Sequence, residues 1–179
     1  MKYLNILVLL FFISACSEKP ADMNNQLKYE KDGLSFSYPA NWEVTEDFVN
    51  EDVRFVFVES PGYAIIKIEV YPTDQSFELK EFVELDIEAR IKAIPSILNL
   101  GSDNEIKEAK TFINGTEFNG FKYEFNIPVV NIDVPHVSES YSFASLEKVA
   151  YLTNQVATED LEKVTGGFKQ VLSTFKIEP

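Results

Sequence analysis

The spacing of apolar residues changes period along this chain, and that change limits the folds it can adopt. Short runs in which apolar and polar residues alternate, the pattern of half-buried strands, occur in two blocks, and each block precedes a segment with helical spacing. The order strands, helix, strands, helix predicts one α+β domain with an antiparallel sheet. The predicted strands are 27–31, 34–38, 53–60, 63–71, 106–113, a long run after residue 115 that continues through 127, 137–144 and 148–153.

Turn dipeptides separate several of these strands. Asp32-Gly33 and Asn114-Gly115 are strong signals for two-residue hairpin turns, and Pro61-Gly62 fits another hairpin. Because a hairpin joins antiparallel neighbours, the sheet is expected to grow by antiparallel pairing of consecutive strands.

Two segments have the 3.6-residue spacing of amphipathic helices. The first has Ser76 as its candidate N-cap and ends at Pro95. Its apolar face is formed by Leu79, Phe82, Val83, Ile87, Ile91 and Ile94. The second starts near Thr158, and its apolar face is formed by Leu161, Val164, Phe168, Val171, Leu172 and Phe175.

Two glycines, Gly166 and Gly167, interrupt the second predicted helix. Each costs about 1 kcal/mol relative to alanine in a helix interior, so a packing or functional reason is expected. Close packing of the helix onto the sheet is the favoured interpretation, and a hinge or a binding notch is the alternative.

The first residues have the layout of a signal peptide, with one cation at Lys2, an apolar run from Ile6 to Ile13 and small residues after it. The apolar run is well short of the roughly 20 residues that a spanning helix needs. The sequence Ile13-Ser14-Ala15-Cys16 resembles a bacterial lipobox, whose cysteine becomes lipidated and N-terminal on cleavage.

The lipobox divides the chain at Cys16. We predict a lipoprotein signal peptide at 1–15, a lipidated Cys16 at the start of a flexible tether over 16–26, and a single domain over 27–179. A lipoprotein cysteine carries several acyl chains, and more than one chain is what stable anchoring requires, so the mature protein is expected to stay on a membrane of the bacterial cell envelope. Ser17, which stands where an Asp would retain the protein, resembles the outer-membrane sorting pattern and predicts a position facing the periplasm if two membranes are present.

Charge narrows the class of partner. Without residues 1–15 the chain carries 15 basic and 29 acidic side chains, a formal charge of −14. This negative charge repels phosphate backbones and anionic head groups. It argues against nucleic acid as a partner and favours a basic protein or dissolved cations. Because Cys16 is the only cysteine, its lipidation leaves the folded part without a thiol for disulfides, catalysis or metal binding.

Two stretches of the chain have a recognisable pattern. Near the start, Gly33, Ser35, Tyr38, Pro39 and Trp42 form the pattern Gly-x-Ser-x-x-Tyr-Pro-x-x-Trp, which resembles the first strand of the PsbP-like domain family. Near the other end, VAYLTNQ at 149–155 and VLSTFKI at 171–177 are similar to the family's last strand, last helix and terminal strand.

The resemblance implies an α/β/α sandwich built on a central antiparallel sheet. The family includes photosystem accessory proteins, a eukaryotic Ran-binding import factor and bacterial lipoproteins, which share binding to larger assemblies and no catalytic constellation. The resemblance therefore implies a binding function and carries over no site residue, and fold alone does not determine function.

The segment around Tyr38, Pro39 and Trp42 is interpreted as a structural corner. Proline fixes its own φ and ends the strand, and Trp42 is expected to fold back over the edge of the sheet beside Tyr38. An exposed aromatic platform for a ligand is the alternative.

Few residues in this sequence are candidates for catalysis or for binding a transition metal. The single histidine, His136, follows Asp133-Val134-Pro135 and is expected in a solvent-exposed loop, without the further ligands that a transition-metal site needs. The sequence has neither a Gly-x-Ser-x-Gly motif nor a P-loop. We therefore predict a protein that is not an enzyme and uses no cofactor.

Two groups of acidic residues are the candidates for a hard cation such as Ca²⁺, which prefers several oxygen ligands. They are Glu46, Asp47, Glu51 and Asp52 in one group, and Asp103 and Glu105 in the other. Neither group has the spacing of a calcium-binding loop, so solvated loops without a metal are expected at both places.

These observations together predict a non-catalytic lipoprotein that acts as an accessory or binding module for a protein assembly at a membrane surface. One alternative is a lipoprotein that holds a small molecule or cation in a cleft of the sandwich. Another is a hydrolase that uses His136.

Overall fold

The computed structural model describes residues 18–93, 105–129 and 132–178. The predicted signal peptide and Cys16 lie outside these ranges, as do Ile94, Pro95 and Asp103, so what the sequence predicts for them stays a prediction. Within the described ranges, no helix is long and apolar enough to cross a bilayer.

The described residues form ten strands and two α-helices. The strands are β1 Gln26–Lys31, β2 Leu34–Pro39, β3 Glu43–Asn50, β4 Val53–Glu59, β5 Ile65–Pro72, β6 Lys107–Ile113, β7 Thr116–Val129, β8 Ile132–Ala144, β9 Lys148–Ala157 and β10 Lys176–Ile177. Helix α1 spans Leu79–Ala93 and helix α2 spans Leu161–Thr174, each preceded by a short 3₁₀ turn, at Thr73–Gln75 and Thr158–Asp160.

The strands divide into two antiparallel sheets. The larger has seven strands in the order β3-β4-β5-β9-β8-β7-β6, and the smaller has three in the order β1-β2-β10. Helix α1 covers one face of the larger sheet, while α2 and the smaller sheet cover the other. The predicted α+β fold with an antiparallel sheet between helices is confirmed; the division of the strands between two sheets was not predicted.

Three local details differ from the prediction. Strand β3 was missed, because its sequence EVTEDFVN interleaves acids with apolar residues and hides the alternation. Ser76 does not cap α1: it ends the 3₁₀ turn, where its hydroxyl donates to the carbonyl oxygen of Thr73 at 2.8 Å, and α1 starts three residues later. Ile91 of the predicted apolar face is exposed.

The main apolar core lies between the larger sheet and α2. Register places Val58 of β4 opposite Ile66 of β5, and Ile68 of β5 opposite Leu152 of β9, with all four side chains buried. From α2, Val171 is fully buried against them. Burying one such side chain stabilises the fold by about 1.5–3 kcal/mol, and this face buries more apolar side chains than the face under α1.

The corner at the end of β2 is confirmed as structural. Trp42 is only 3% exposed, and its ring meets Phe168 of α2 edge-on, with 5.6 Å between ring centroids. A Cβ on Gly167 would lie 2.6 Å from Cζ2 of Trp42, so the glycine is what lets α2 approach this ring. The alternative of an exposed aromatic platform is wrong, and so is the expected cover of the sheet edge, because the ring lies under α2.

The chain before β1 also lies against the domain. The backbone N–H of Ala21 donates to the carbonyl oxygen of Lys163 at 2.9 Å, and that of Asp22 donates to Oδ1 of Asn41 at 2.8 Å. The predicted flexible tether is therefore wrong for residues 18–25, which are held along the surface between α2 and the corner by these polar contacts and by the buried side chain of Glu18.

Candidate functional site

Three aromatic side chains form an exposed ladder on the outer strands β3 and β4. Phe48 lies directly opposite Phe55, with 5.3 Å between ring centroids and 19° between planes, and Phe57 lies 6.4 Å from Phe48 at 12°. Phe48 is 44% exposed, and Phe55 and Phe57 are partly exposed. We call these three residues the aromatic surface. Stacked aromatic rings of this kind are the side chains that most often dominate protein interfaces.

The aromatic surface is exposed because α1 lies over other strands. It shares its face of the sheet with Lys67 and Glu69 of β5, which stand opposite Phe57 and Phe55. In the described part of the chain, the ring contacts and ion pairs of α1 run to β5, β7 and β9. Strands β3 and β4 at the edge of the sheet extend past the helix, so their apolar side chains on this face stay accessible.

Carboxylates surround the aromatic surface. Glu46 stands opposite Phe57 in the β3–β4 register, and Glu51 and Asp52 form the turn between these strands. At the other end of the pair, Glu43 lies opposite Glu59. All five side chains are exposed. An apolar patch with a negative rim fits a partner that presents cationic side chains with apolar stems.

The four acids weighed as a candidate cation site, Glu46, Asp47, Glu51 and Asp52, are not assembled as one group, and the solvated loop expected for them is wrong for Glu46 and Asp47, which lie in strand β3. Asp47 lies on the opposite face of β3, while Glu51 and Asp52 adopt positive φ in the turn. In the second candidate group, Glu105 forms an ion pair with Lys107 at 3.3 Å. Among the described residues, no group of three or more acidic, histidine or cysteine side chains is placed to hold a metal ion.

Asp47 instead takes part in a compact ionic cluster between the two sheets. Nε and a terminal nitrogen of Arg54 donate to its two carboxylate oxygens at 2.9 and 3.1 Å, the hydroxyl of Tyr29 donates at 2.7 Å, and Lys31 donates at 2.5 Å. These donors, with Arg54 first, hold the pKa of Asp47 well below its usual range. Burial and the bond to Asp47 raise the pKa of Tyr29 to about 12.

A cleft of about 550 Å³ opens beside this cluster, between the β1–β2 turn and the ends of β3 and β5. Its lining combines the charged side chains of Arg54, Asp47 and Lys31 with the apolar Leu34 and Val70. The three charges already bind one another, and the lining also includes the charged side chains of Asp32, Asp52, Glu147 and Lys148.

A second ionic cluster lies under α1. Nζ of Lys67 is 2.6 Å from both Glu69 and Asp86, and Arg90 and the hydroxyl of Tyr123 each reach Asp86 at 3.1 Å. Burial would raise the pKa of Asp86, but Lys67 and Arg90 outweigh burial and hold it below its usual range. The guanidinium of Arg90 also lies 4.9 Å from the ring centre of Phe125, a cation–π contact.

Sequence reasoning did not find this second cluster, although one signal was present. Asp86 and Arg90 are four residues apart on the same side of α1 as the buried Phe82 and Val83, and a charged pair on a buried helix face needs partners. Those partners come from β5 and β7, which local sequence spacing does not reveal.

His136 is not in an exposed loop, so that prediction is wrong. Strand β8 begins at Ile132, which includes His136 in the sheet, and the side chain is 8% exposed. Its ring stacks on Phe125 with 5.6 Å between centroids, and Nδ1 lies 2.8 Å from the carbonyl oxygen of Val134. Pro135 is tolerated here because β8 extends past the end of β9 and pairs only with β7 at this point.

Comparison with known proteins supports the fold. The structure is similar to cyanobacterial PsbP from Synechocystis sp. PCC 6803, with a TM-score of 0.54 at 15% sequence identity, over 86% of this chain and 92% of that one. A protein of Bacteroides thetaiotaomicron VPI-5482 matches with a TM-score of 0.49 at 12% identity, over 85% of this chain and 48% of that one.

LpqN, which is involved in cell envelope biogenesis of Mycobacterium tuberculosis, matches with a TM-score of 0.43 at 8% identity, over 87% of this chain and 91% of that one. No protein-family model matches the sequence. No curated protein matches it either. The fold is therefore PsbP-like, as the sequence resemblance implies, and likeness at this level of identity is evidence for the fold only.

Proposed function

We propose that this protein is a non-catalytic, lipid-anchored protein of the bacterial cell envelope that binds a basic surface of a partner protein through the aromatic surface. The observation that carries the proposal is the stacked and exposed ladder of Phe48, Phe55 and Phe57 inside a rim of carboxylates. Exposed apolar side chains that are contiguous and rimmed by polar residues commonly mark interaction sites.

The energetics of such a contact favour a cationic partner. Arginine and lysine side chains bring apolar stems that cover aromatic rings and charged ends that meet Glu46, Glu51 or Asp52. A cation over an aromatic face contributes about 0.5–1 kcal/mol at an exposed site and more once it is desolvated. The formal charge of −14 on the mature chain would speed the approach of a basic partner.

Anchoring at the membrane is the second part of the proposal. Support for it comes from the lipobox ending at Cys16 and from the signal-peptide layout before it. An anchor would place the protein on the membrane of its partner and raise their effective concentration. We place the protein at the outer membrane, facing the periplasm, where the cell has two membranes.

The experiment that tests the binding site is crosslinking in native membranes followed by mass spectrometry, with the full-length protein. The variant Phe48→Ser removes the central ring of the aromatic surface, and Phe112→Ser is the matched control, since Phe112 is an exposed phenylalanine on the opposite edge strand β6. We expect a partner peptide rich in lysine or arginine that is lost in Phe48→Ser and kept in Phe112→Ser. Identical crosslinks in all three proteins would refute the proposed site.

The anchor has its own test. The intact mass of the protein purified from membranes should correspond to a chain that starts at Cys16 with acyl groups added, and Cys16→Ala should leave the membrane fraction. An unmodified Cys16 would refute this part of the proposal without affecting the aromatic surface.

A second candidate function is small-molecule binding in the cleft beside Arg54, for which the volume of about 550 Å³ is the supporting observation. Native mass spectrometry of protein taken directly from membranes should then show an added non-protein mass. That mass should disappear in a Val70→Trp variant, which fills the cleft from its apolar side.

A further inference from the structure

Glu18 is fixed to the domain although it lies only two positions after the lipobox cysteine. The side chain is 4% exposed, and its Oε2 accepts hydrogen bonds from the hydroxyl of Ser60 at 2.6 Å and from the backbone N–H groups of Tyr63 and Ala64 at 3.0 and 3.1 Å. A Cβ on Gly62 would overlap the Glu18 carboxylate, so the β4–β5 turn fits closely around it. The turn and this side chain are thus joined by three hydrogen bonds and fit closely together.

This fixation limits how far the domain can stand from an anchored Cys16. Two residues span at most about 7 Å when fully extended. With acyl chains on Cys16, the β4–β5 turn would therefore lie at the head groups, and the hydrogen bonds of residues 18–25 would keep the domain from turning freely about its anchor.

The register of the larger sheet places a second loop at the same end. Ile65 of β5 pairs with Gln155 of β9, and Gln155 pairs with Ser138 of β8. The start of β5, the end of β9 and the start of β8 therefore lie at the same end of the sheet. Strand β8 continues past the end of β9 from His136 back to Ile132. These four further residues extend the β7–β8 hairpin by roughly 13 Å at the rise of a β-strand.

Apolar side chains at this end are exposed. Tyr63 of the β4–β5 turn is 75% exposed, Ile132 at the start of β8 is 70% exposed, and Val129 at the end of β7 is exposed as well. Tyrosine is typical of the head-group region of a bilayer, and branched apolar side chains are favoured below it. Asp133, the residue after Ile132 in β8, is also exposed. Its charge would keep this end of the domain in the interfacial region and out of the hydrocarbon core of the bilayer.

We infer that this end of the domain contacts the lipid bilayer, with Tyr63 among the head groups and Val129 and Ile132 at the boundary with the acyl chains. The inference rests on the anchor at Cys16 that is part of the proposed function. Uncharged, zwitterionic lipid is the fitting surface, because the chain is acidic. The strands then run towards the membrane, and the aromatic surface on β3 and β4 faces sideways, towards a partner on the same membrane.

Tryptophan fluorescence in vesicles tests this orientation. The native Trp42 is buried and supplies a constant background, so one further tryptophan is placed at Ile132, at Tyr63 or, as the control, at Leu146. Leu146 is 87% exposed in the turn at the other end of β8. The lipidated full-length mature protein is reconstituted in phosphatidylcholine vesicles with brominated acyl chains, which quench tryptophan only within the bilayer.

We expect Ile132→Trp and Tyr63→Trp to lose emission and to shift to shorter wavelength, and Leu146→Trp to do neither. Combining Ile132→Trp with Glu18→Ala should weaken the quenching while the protein still floats with the vesicles. Without the hydrogen bonds of Glu18, the domain can change its orientation relative to the lipid anchor. Equal emission at all three positions, or stronger quenching at Leu146, would overturn the inference.

The two proposals can fail separately. If mass spectrometry finds no acyl group on Cys16, the anchor in the proposed function is refuted. The same quenching measurement is then made with the thiol of Cys16 coupled to a maleimide phospholipid, and its result still supports or overturns the orientation of the domain.

Discussion

The two faces of the larger sheet are covered by helices that are attached in different ways. Helix α2 packs on an apolar core to which Val58, Ile68 and Leu152 contribute from the sheet. Helix α1 packs on a smaller apolar cluster and on the ionic cluster around Asp86. One helix is thus held mainly by burial of apolar surface, and the other partly by charges that must be kept paired.

The difference matters because the two attachments respond differently to change. Apolar burial is non-directional and tolerates small shifts. In a buried ion pair, by contrast, the attraction between the charges offsets the free-energy cost of their desolvation only while every partner is in place. We therefore expect α1 to be the helix whose attachment depends on single residues, and α2 to be the one that holds the fold together.

The largest effect is expected from Asp86→Ala. This change leaves Lys67 and Arg90 partly buried with one carboxylate fewer, and removal of one partner from a buried ionic group costs about 4 kcal/mol. Urea unfolding followed by circular dichroism measures the loss. Glu88→Ala on the same helix is the control, because Glu88 pairs with Lys92 in solvent and should contribute under about 1 kcal/mol. Equal losses in the two variants would contradict the idea that charges hold α1.

Leu172→Ala probes the other face and is expected to cost about 3 kcal/mol, from lost apolar burial and the cavity that remains. No charge takes part, so the loss should be the same at neutral and mildly acidic pH. Unfolding curves recorded at both pH values check this. A loss that changes with pH would show that the apolar face is also controlled by titrating groups.

The paired glycines of α2 sharpen the comparison further. Gly167→Ala brings a Cβ to 2.6 Å from Trp42 and 2.9 Å from Pro39, so overpacking should destabilise the protein by about 2 kcal/mol. Gly166→Ala meets only the flexible side chain of Met23, at 3.1 Å, and should stabilise by up to about 1 kcal/mol through helix propensity. Thermal unfolding of both variants measures the difference, and shifts of the same sign would refute close packing at Gly167.

Much of the fold was predictable because its signals are local. The hairpin turns at Asp32-Gly33 and Asn114-Gly115 have the positive φ angles that such dipeptides favour, and the alternation of apolar and polar residues in β7 places Tyr123 and Phe125 on one face, which packs with α1. Strand β3 was not predicted because it lies at the sheet edge with acids on both faces, so its apolar and polar residues do not alternate clearly. Its place depends on pairing with β4.

The candidate site was less predictable for a related reason. The aromatic surface needs Phe48 of the missed strand beside Phe55 and Phe57, so no segment of sequence reveals it. The fixation of Glu18 joins residues more than 40 positions apart, and the local composition of 17–26 predicts only a tether. Contacts of that range depend on the assembled fold.

The smallest predicted effect concerns a charged pair on the α2 side of the sheet. Asp47 and Arg54 lie on the α2 side of the sheet, at its rim, and the pKa of Asp47 is lowered in the folded state, mainly by the hydrogen bonds from Arg54. A carboxyl with a lowered pKa stabilises the fold fully above its ordinary pKa of about 3.9, and this contribution is lost as the pH falls below that value towards the folded-state pKa.

Asp47→Asn should therefore reduce stability by about 1 kcal/mol at neutral pH, since the neutral amide keeps an acceptor for only part of the network. The difference in free energy of unfolding between wild type and variant should become smaller as the pH falls below about 4. Below that pH the carboxyl of Asp47 becomes protonated in the unfolded wild type, so the wild type also loses the stabilisation that its ionised form provides. Urea titrations across that range measure this difference. If it stays constant, the pairing with Arg54 is not what stabilises this rim, and the apolar contacts around it account for the stability of the α2 face by themselves.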